Sequence, residues 1–309
     1  RQRQMCIRDR TTGDPKGVIH RHRNITANLE PFYREFTRYR PAARIFQPIR
    51  ILNLLPLSHM FGQAMGLFIP PLLEGSIVFS AATDPRVLVD LIRRERISVL
   101  ACIPRFLLHL ESLLKEESRT PLRNPRFTGI ASIPERWWRY RRLHRRLGLK
   151  FWAIVVGGAA VPPRLEEFWS QVGILLIQGY GMTEASPIVA VNHPFHTRRG
   201  TIGRILEGQE VRLSEEGEIL VRGQNVLTEY YHANGTISPV TCDGWLHTGD
   251  IGELDAEGNL LYRGRKKDVI VNSEGQNIFP EDVEAVLNRI PGIRESAVVA
   301  AETEAGAQV

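Results

Sequence analysis

Short apolar runs alternate with amphipathic stretches along most of the chain. Ile51-Leu52-Asn53-Leu54-Leu55, Ser76 to Phe79, Ser98 to Cys102, Phe151 to Val156 and Gly173-Ile174-Leu175-Leu176-Ile177 read as buried strands. Between them, a helix is predicted from Asp84-Pro85 to about Glu95, another from Pro104 to about Glu116, and a third from Pro162-Pro163 to Gln171, each opened by proline. A shorter helix is expected over Asn24 to Tyr33. Strands alternating with helices predict the α/β class, a doubly wound parallel sheet.

After Pro194 the texture changes. Gln209 to Leu213, Gly217 to Arg222, Gly252 to Leu254 and Asn259 to Tyr262 are short alternating segments, with turns at Glu215-Glu216-Gly217 and Asp255-Ala256-Glu257-Gly258. They predict a small antiparallel β unit, residues 196–263, appended to the sheet. Gly264-Arg265-Lys266-Lys267-Asp268 is a polar, Gly-led break and reads as a linker or hinge. Beyond it, a strand (Val269 to Val271), a loop at Gly275, a helix from Pro280 to Arg289 and a strand from Ser296 to Ala300 open a small α+β domain.

Composition narrows the class. A chain of 309 residues suggests two or three domains, and 43% hydrophobic with 24% charged residues is ordinary for a globular protein. The longest apolar stretch, Met65 to Phe79, is broken by Pro70-Pro71 and Glu74-Gly75, so it is no membrane span. No secretory signal is visible, and Cys6, Cys102 and Cys242 make no disulfide framework, so the expected location is the cytoplasm. The net charge of +6 is concentrated in Arg1 to Arg10 and Arg136 to Arg146. Elsewhere the signs nearly balance and no nucleic-acid-binding pattern is present, so no nucleic-acid partner is expected. Glu135 to Leu147 reads as a basic amphipathic helix. Its charges suit a solvated face packed by its aromatics, an anionic membrane surface, or an acidic carrier protein.

Candidate chemistry gathers where predicted strands end. Gln178-Gly179-Tyr180-Gly181-Met182-Thr183-Glu184 follows an apolar strand, at the edge where open α/β sheets bind ligands. It offers an aromatic face for a planar ring, a hydroxyl for phosphate at Thr183 and a carboxylate for Mg²⁺ at Glu184. Gly157-Gly158-Ala159-Ala160 ends a neighbouring strand, either to admit a flat ligand or to bring helix and strand close. Thr11-Thr12-Gly13-Asp14-Pro15-Lys16-Gly17-Val18 holds the parts of a phosphate-gripping loop, or of a polar turn, without the Walker pattern. His59, within Pro56-Leu57-Ser58-His59-Met60-Phe61-Gly62, either lines a substrate pocket or is a satisfied core group. Asp250, in Asp243-Gly244-Trp245-Leu246-His247-Thr248-Gly249-Asp250, could accept the two hydroxyls of a ribose.

In their order, Thr-Thr-Gly-Asp-Pro-Lys-Gly-Val, Leu-Pro-Leu-Ser-His, Gly-Gly-Ala, Tyr-Gly-Met-Thr-Glu, Trp-Leu-His-Thr-Gly-Asp and Gly-Arg-Lys-Lys-Asp resemble the AMP-forming acyl-adenylate superfamily. That superfamily contains acyl-CoA synthetases, nonribosomal adenylation domains and luciferases, and the likeness is greatest to the fatty-acyl-CoA synthetases. The resemblance, which runs from Thr11 to about Ala300, implies ATP-dependent activation of a medium- or long-chain fatty acid to an acyl-adenylate, with transfer to CoA or to an acyl-carrier protein. It implies that Thr11, Thr12, Gly13 and Lys16 hold the β- and γ-phosphates. Gly158, Ala159 and Tyr180 would sandwich adenine, Thr183 the α-phosphate, and Glu184 the Mg²⁺. Thr183, Glu184 and Lys16 are thus the implied catalytic set. Asp250 and Arg265 would hold the ribose, and His59, Gly157 and Gly181 would border the acyl pocket. Lys267 falls at the family's hinge, and Gly275 along its CoA channel.

Two departures from the family pattern carry expectations. Arg8-Asp9-Arg10 stands where the phosphate loop begins Thr-Ser-Gly, so residues 1–10 are expected to be a non-native leader without a place in the core. Residues 11–263 would then be an incomplete large domain and 264–309 the hinge with part of the small one. The family's catalytic lysine would lie beyond Val309, so little or no adenylation is expected of residues 1–309 alone, a non-catalytic nucleotide- or acyl-binding relic being the other reading.

Overall fold

The computed structural model describes residues 4–8, 16–118, 133–193, 198, 200–232, 234–241, 243–271, 277–288, 290, 292–293, 296–303 and 306–308. A hairpin comes first, β1 (Gln4–Arg8) antiparallel to β2 (Lys16–His20), with Met5 opposite Ile19 and Cys6 opposite Val18. β1 covers an edge of β2 that would otherwise present unpaired backbone groups. Helix α1 (His22–Ala43) is twice the predicted length. Leu29 and Phe32 pack its first half on the core, while the second half has no apolar stripe to announce it. There, charged side chains such as the Glu30–Arg34 pair at 2.9 Å support an exposed helix.

The central sheet follows. β3 (Arg50–Asn53), β4 (Ser76–Phe79), β5 (Val99–Cys102), β6 (Ala153–Val156) and β7 (Leu175–Gly181) run parallel in the order β4-β3-β5-β6-β7. Ile51 lies opposite Val99, Leu100 opposite Ile154, and Val156 opposite Gln178. β8 (Ile188–Val191) and β9 (Arg204–Ile205) extend the sheet antiparallel, making it seven-stranded and mixed.

The period of two along each strand sorts side chains into two cores. Leu52, Leu100, Cys102, Ile154 and Val156 face α4 (Pro85–Arg94), α5 (Pro104–Ser118), α7 (Arg141–Leu147) and α8 (Pro163–Val172), with α6 (Ile133–Arg139) packed on α7 and α8. Ile51, Val99, Ala101 and Ala153 face α1 and the segment formed by α2 (Met60–Gln63), a π turn over Ala64–Phe68 and α3 (Ile69–Leu72). Helices thus cover both faces, as predicted for a doubly wound sheet. The helical run over 60–72 went unread because Pro70-Pro71 looked like a break. The prolines sit in the first turn of α3, where no backbone N–H is needed.

The single basic helix expected over Glu135–Leu147 is two helices meeting at Tyr140. Its buried stripe, Arg136, Tyr140, Leu143, His144 and Leu147, is continuous across the break.

The second half is β-rich. β10 (Gln209–Leu213), β11 (Glu218–Gly223), β14 (Leu246–Leu254) and β15 (Leu260–Arg265) form an antiparallel sheet in that order, longer at the last two strands than predicted. It closes a third core of Val189, Ala190, Ile219, Val221, Leu246 and Leu260 against β8. β12 (Glu229–His232) and β13 (Ile237–Pro239) instead extend the N-terminal hairpin, in the order β1-β2-β12-β13.

The predicted linker begins later than expected. Gly264 and Arg265 still pair with Ile251 and Asp250, and the turn is Lys266–Asp268. Beyond it lie the pair β16 (Ile270–Val271) and β17 (Asn277–Ile278), helix α9 (Pro280–Leu287), and the pair β18 (Ala301–Thr303) and β19 (Gly306–Gln308). The strand expected at Ser296 to Ala300 is absent; pairing starts at Ala301. Among the described residues, no helix is long and apolar enough to cross a membrane.

Candidate active site

The carboxyl ends of β6 and β7 lie side by side, so the two glycine-bearing turns predicted from sequence are neighbours. Gly157 is buried, and a Cβ there would meet the Phe61 ring at 3.0 Å and Gly179 O at 3.4 Å. Gly158 is exposed at φ +85°, a conformation that favours glycine, and Ala159 beside it is exposed. Gly181, at the end of β7, leaves no room: a Cβ would stand 1.8 Å from Pro187 O. The chain then turns through Thr183–Ala185 and returns as β8.

Tyr180, Asp250 and Arg265 form one cluster. The Tyr180 hydroxyl donates to Asp250 Oδ2 at 2.8 Å, and Arg265 Nε pairs with Asp250 Oδ1 at 2.9 Å. Asp250 and Arg265 are also opposite each other in the β14–β15 ladder, so the pairing register sets the ion pair. The Asp250 backbone N–H is held by Thr248 Oγ1 at 3.1 Å, and that hydroxyl donates to Ile219 O. Asp250 is buried and Arg265 half-exposed, so the two form a charge-assisted pair at the edge of the core. Burial first, and then the Asp250 charge, push the Tyr180 phenol well above its ordinary range, which keeps it a donor. Tyr180, expected at adenine, is thus in contact with Asp250, expected at the ribose, across 70 positions of sequence.

Glu184 is fully buried, with Tyr230 donating to its Oε1 at 2.8 Å. His20 lies nearby, buried, its Nδ1 3.4 Å from Ser186 Oγ. Burial pushes His20 down to about 4, against the opposing pull of Glu184, so the imidazole is neutral at pH 7. Tyr230 and His20 were not singled out from sequence, because nothing local marks a residue that meets a motif only through tertiary contact. Among the described residues no cluster of three or more His, Cys, Asp or Glu side chains is assembled for a metal. Mg²⁺ characteristically uses one or two carboxylates and completes its shell with substrate phosphates and water. A single hard oxygen donor at Glu184 therefore fits a cation that arrives with a nucleotide.

The remaining candidates are more scattered. Lys16 opens β2, its backbone opposite His232 of β12. Thr11, Thr12, Gly13 and Gly275 lie outside the described residues. His59 is exposed and precedes α2, its backbone N–H bonded to Pro56 O at 3.1 Å. Lys267 is exposed in the turn after β15, 4.0 Å from Asp268. The basic run divides: Arg136 is buried and donates to Ser170 O, Arg146 pairs with Asp90 and Glu117, and Arg139, Arg141, Arg142 and Arg145 are exposed.

Fold and site define an α/β protein whose polar chemistry sits at the strand ends, where a second, antiparallel sheet closes over it. Residues 11–231 match the model of the AMP-binding enzyme family, and the chain belongs to that family. It is 26% identical to the long-chain-fatty-acid–CoA ligase FadD15 of Mycobacterium bovis, over 94% of this chain and 50% of the ligase. It is 31% identical to the indoleacetate–CoA ligase of Aromatoleum aromaticum, over 96% of this chain and 53% of that enzyme. Among solved structures, o-succinylbenzoate CoA synthetase (MenE) from Bacillus subtilis in complex with the acyl-adenylate OSB-AMP superimposes with a TM-score of 0.72 at 26% identity, covering 98% of this chain and 57% of the synthetase. A further MenE structure contains ATP and a magnesium ion. The chain spans about half the length of the curated relatives it matches.

Proposed function

We propose that this chain carries the nucleotide and acid sites of a cytoplasmic acid–CoA ligase that activates a medium- or long-chain fatty acid with ATP. The observation that supports it best is Asp250, a buried carboxylate fixed between Tyr180 and Arg265 at the strand ends. In this reading Asp250 accepts the ribose hydroxyls, with Arg265 beside it, and Tyr180 lies against adenine opposite Gly158 and Ala159. Thr183 donates to the α-phosphate, while Thr11, Thr12, Gly13 and Lys16 grip the outer phosphates. Mg²⁺, held at Glu184 when bound, neutralises phosphate charge.

A carboxylate oxygen of the acid then bonds to the α-phosphorus as the bond to the bridging oxygen breaks, and pyrophosphate leaves with the electron pair. In the second step the CoA thiol gives up its proton to solvent, its sulfur bonds to the acyl carbon, and the acyl–oxygen bond to phosphate breaks so that AMP leaves with the electron pair. The residues orient and stabilise charge; no covalent enzyme intermediate is required. His59, Gly157 and Gly181 border the acyl group, Lys267 is the hinge between the half-reactions, and Gly275 lines the CoA channel. The fatty-acid assignment draws support from the FadD15 relative; the indoleacetate relative acts on an aromatic acid.

The test is calorimetric titration of the chain with ATP and with AMP, alone and in the presence of a fatty-acid chain-length series. Asp250→Asn should weaken both nucleotides about tenfold, as expected for losing a charge-assisted contact. No nucleotide binding by the parent chain, or none lost in the variant, overturns the reading. Exposed Arg139, Arg141, Arg142 and Arg145 favour a second feature, docking of an acidic acyl-carrier protein as acceptor in place of CoA, or of an anionic membrane surface. Reversing these charges should weaken binding of an acidic acyl-carrier protein and leave CoA binding intact. Equal loss of both sinks the carrier idea, and vesicle sedimentation separates the membrane alternative.

A further inference from the structure

The loop that carries Thr183 and Glu184 is closed at its base by Met182 N–H to Pro187 O at 2.8 Å and is held further out by the stretch that leads into β12. Leu227 N–H donates to Glu184 O at 2.9 Å, and Asn225 Nδ2 to Ala185 O at 2.8 Å. The Ser186 hydroxyl donates to Asn225 O at 2.8 Å, and the Tyr230 hydroxyl to the Glu184 carboxylate at 2.8 Å. The same stretch is fastened at its other side to the start of α1. Asn24 Nδ2 donates to Gln224 O at 2.7 Å and Val226 O at 3.2 Å, and Arg21 pairs with Glu229 at 2.9 Å. β12 is also paired in register with β2, Tyr230 opposite Val18 and His232 opposite Lys16. One short strand therefore touches both the element that opens with Lys16 and the carboxylate of Glu184.

We propose that Tyr230 is a positioning residue for the Glu184 carboxylate, and that β12 sets the distance between that carboxylate and the strand that opens with Lys16. A carboxylate sealed from water needs a donor, and a donor on one oxygen fixes the plane of the group and hence the direction of the other. Because Tyr230 sits two residues from His232, the partner of Lys16, the β2–β12 register pins Tyr230 at a set place relative to Lys16. The triphosphate and its cation would then meet a lysine strand and a carboxylate at a spacing that does not drift. The inference rests on the ATP reading given above.

The experiment is calorimetric titration of the chain with ATP in Mg²⁺ and, separately, in EDTA. Tyr230→Phe, which removes only the hydroxyl, should weaken ATP about tenfold in Mg²⁺, the fold-change for losing a hydrogen bond to a charged group. In EDTA its affinity should match the parent. In a Glu184→Gln background Tyr230→Phe should cause no additional loss. Equal weakening in both buffers, no weakening in Mg²⁺, or full additivity with Glu184→Gln overturns the proposal, because a merely structural hydroxyl would act without regard to the metal. Circular dichroism checks folding. If Tyr230→Phe does not fold, Arg21→Ala loosens β12 without touching the carboxylate and should cause a smaller loss, about threefold, again confined to Mg²⁺; a metal-independent loss, or none, overturns it. A parent chain that binds no ATP defeats the ATP reading and this inference with it. A parent that binds while Tyr230→Phe is silent defeats the inference alone.

Discussion

Two glycines two positions apart on β7 face opposite constraints. A Cβ at Gly181 would lie 1.8 Å from Pro187 O and 2.8 Å from its carbon, both backbone atoms that cannot swing away. At Gly179 the nearest atom would be Ala190 O at 3.7 Å, an ordinary contact. Gly181→Ala should therefore cost about 1–3 kcal/mol in urea unfolding, as overpacking does, with nucleotide binding reduced. Gly179→Ala should stay within about 0.5 kcal/mol. Similar losses at the two positions would contradict the geometry. His144 gives a pH signature. Burial pulls it below the ordinary histidine value of 6.5, against the hydrogen bond to Val172 O. A histidine depressed in the folded state contributes stability that is present above the unfolded value and lost as pH falls below it. Chemical denaturation should accordingly show stability falling as pH drops below about 6.5. His144→Gln should flatten part of that slope, and His20, depressed by the same cause, should keep the remainder.

Three side chains of α6 and α7 clamp one end of α8. Trp137 Nε1 donates to Gly173 O at 2.8 Å, Arg136 donates to Ser170 O, and His144 Nε2 lies 2.9 Å from Val172 O. Trp137 stacks on His144 at 4.3 Å between ring centroids, so the clamp is rigid. The last carbonyls of a helix lack partners within it, and here the basic helix supplies them two residues before β7 begins. Trp137→Phe should destabilise the chain by about 1 kcal/mol, one hydrogen bond, measured by urea unfolding. Arg136→Ala should cost more, because it also opens a buried site. Neither should change the salt dependence of any surface binding, which belongs to Arg139, Arg141, Arg142 and Arg145. The charge run was legible in the sequence; its division into clamp and surface was not, since that depends on where α8 ends in space.

Across the whole molecule, the sheet strands and the motif turns were legible because each is a contiguous run with its own period or glycine. Tyr180 and Asp250 were legible singly, and their hydrogen bond across 70 positions was not. Tyr230, His20 and the asparagines Asn24 and Asn225 escaped entirely, for they act by reaching elements far away in sequence. β12 escaped for the same reason, as its partner β2 lies some two hundred positions earlier; β1 and β13 are hairpin partners of β2 and β12. The course of β7 has a thermodynamic corollary. It starts among Ala153, Ile188 and the side chains over α1, with Leu175 and Ile177, and ends beside Ile219 and Leu260, with Tyr180. A nucleotide seated at Tyr180, Thr183 and Asp250 would add a further link between these two hydrophobic bodies, which β7, β8 and β9 already join. Calorimetric melting should then broaden or split without ligand and sharpen into one steep endotherm at saturating ATP, so that the substrate acts as a structural fastener for half the protein.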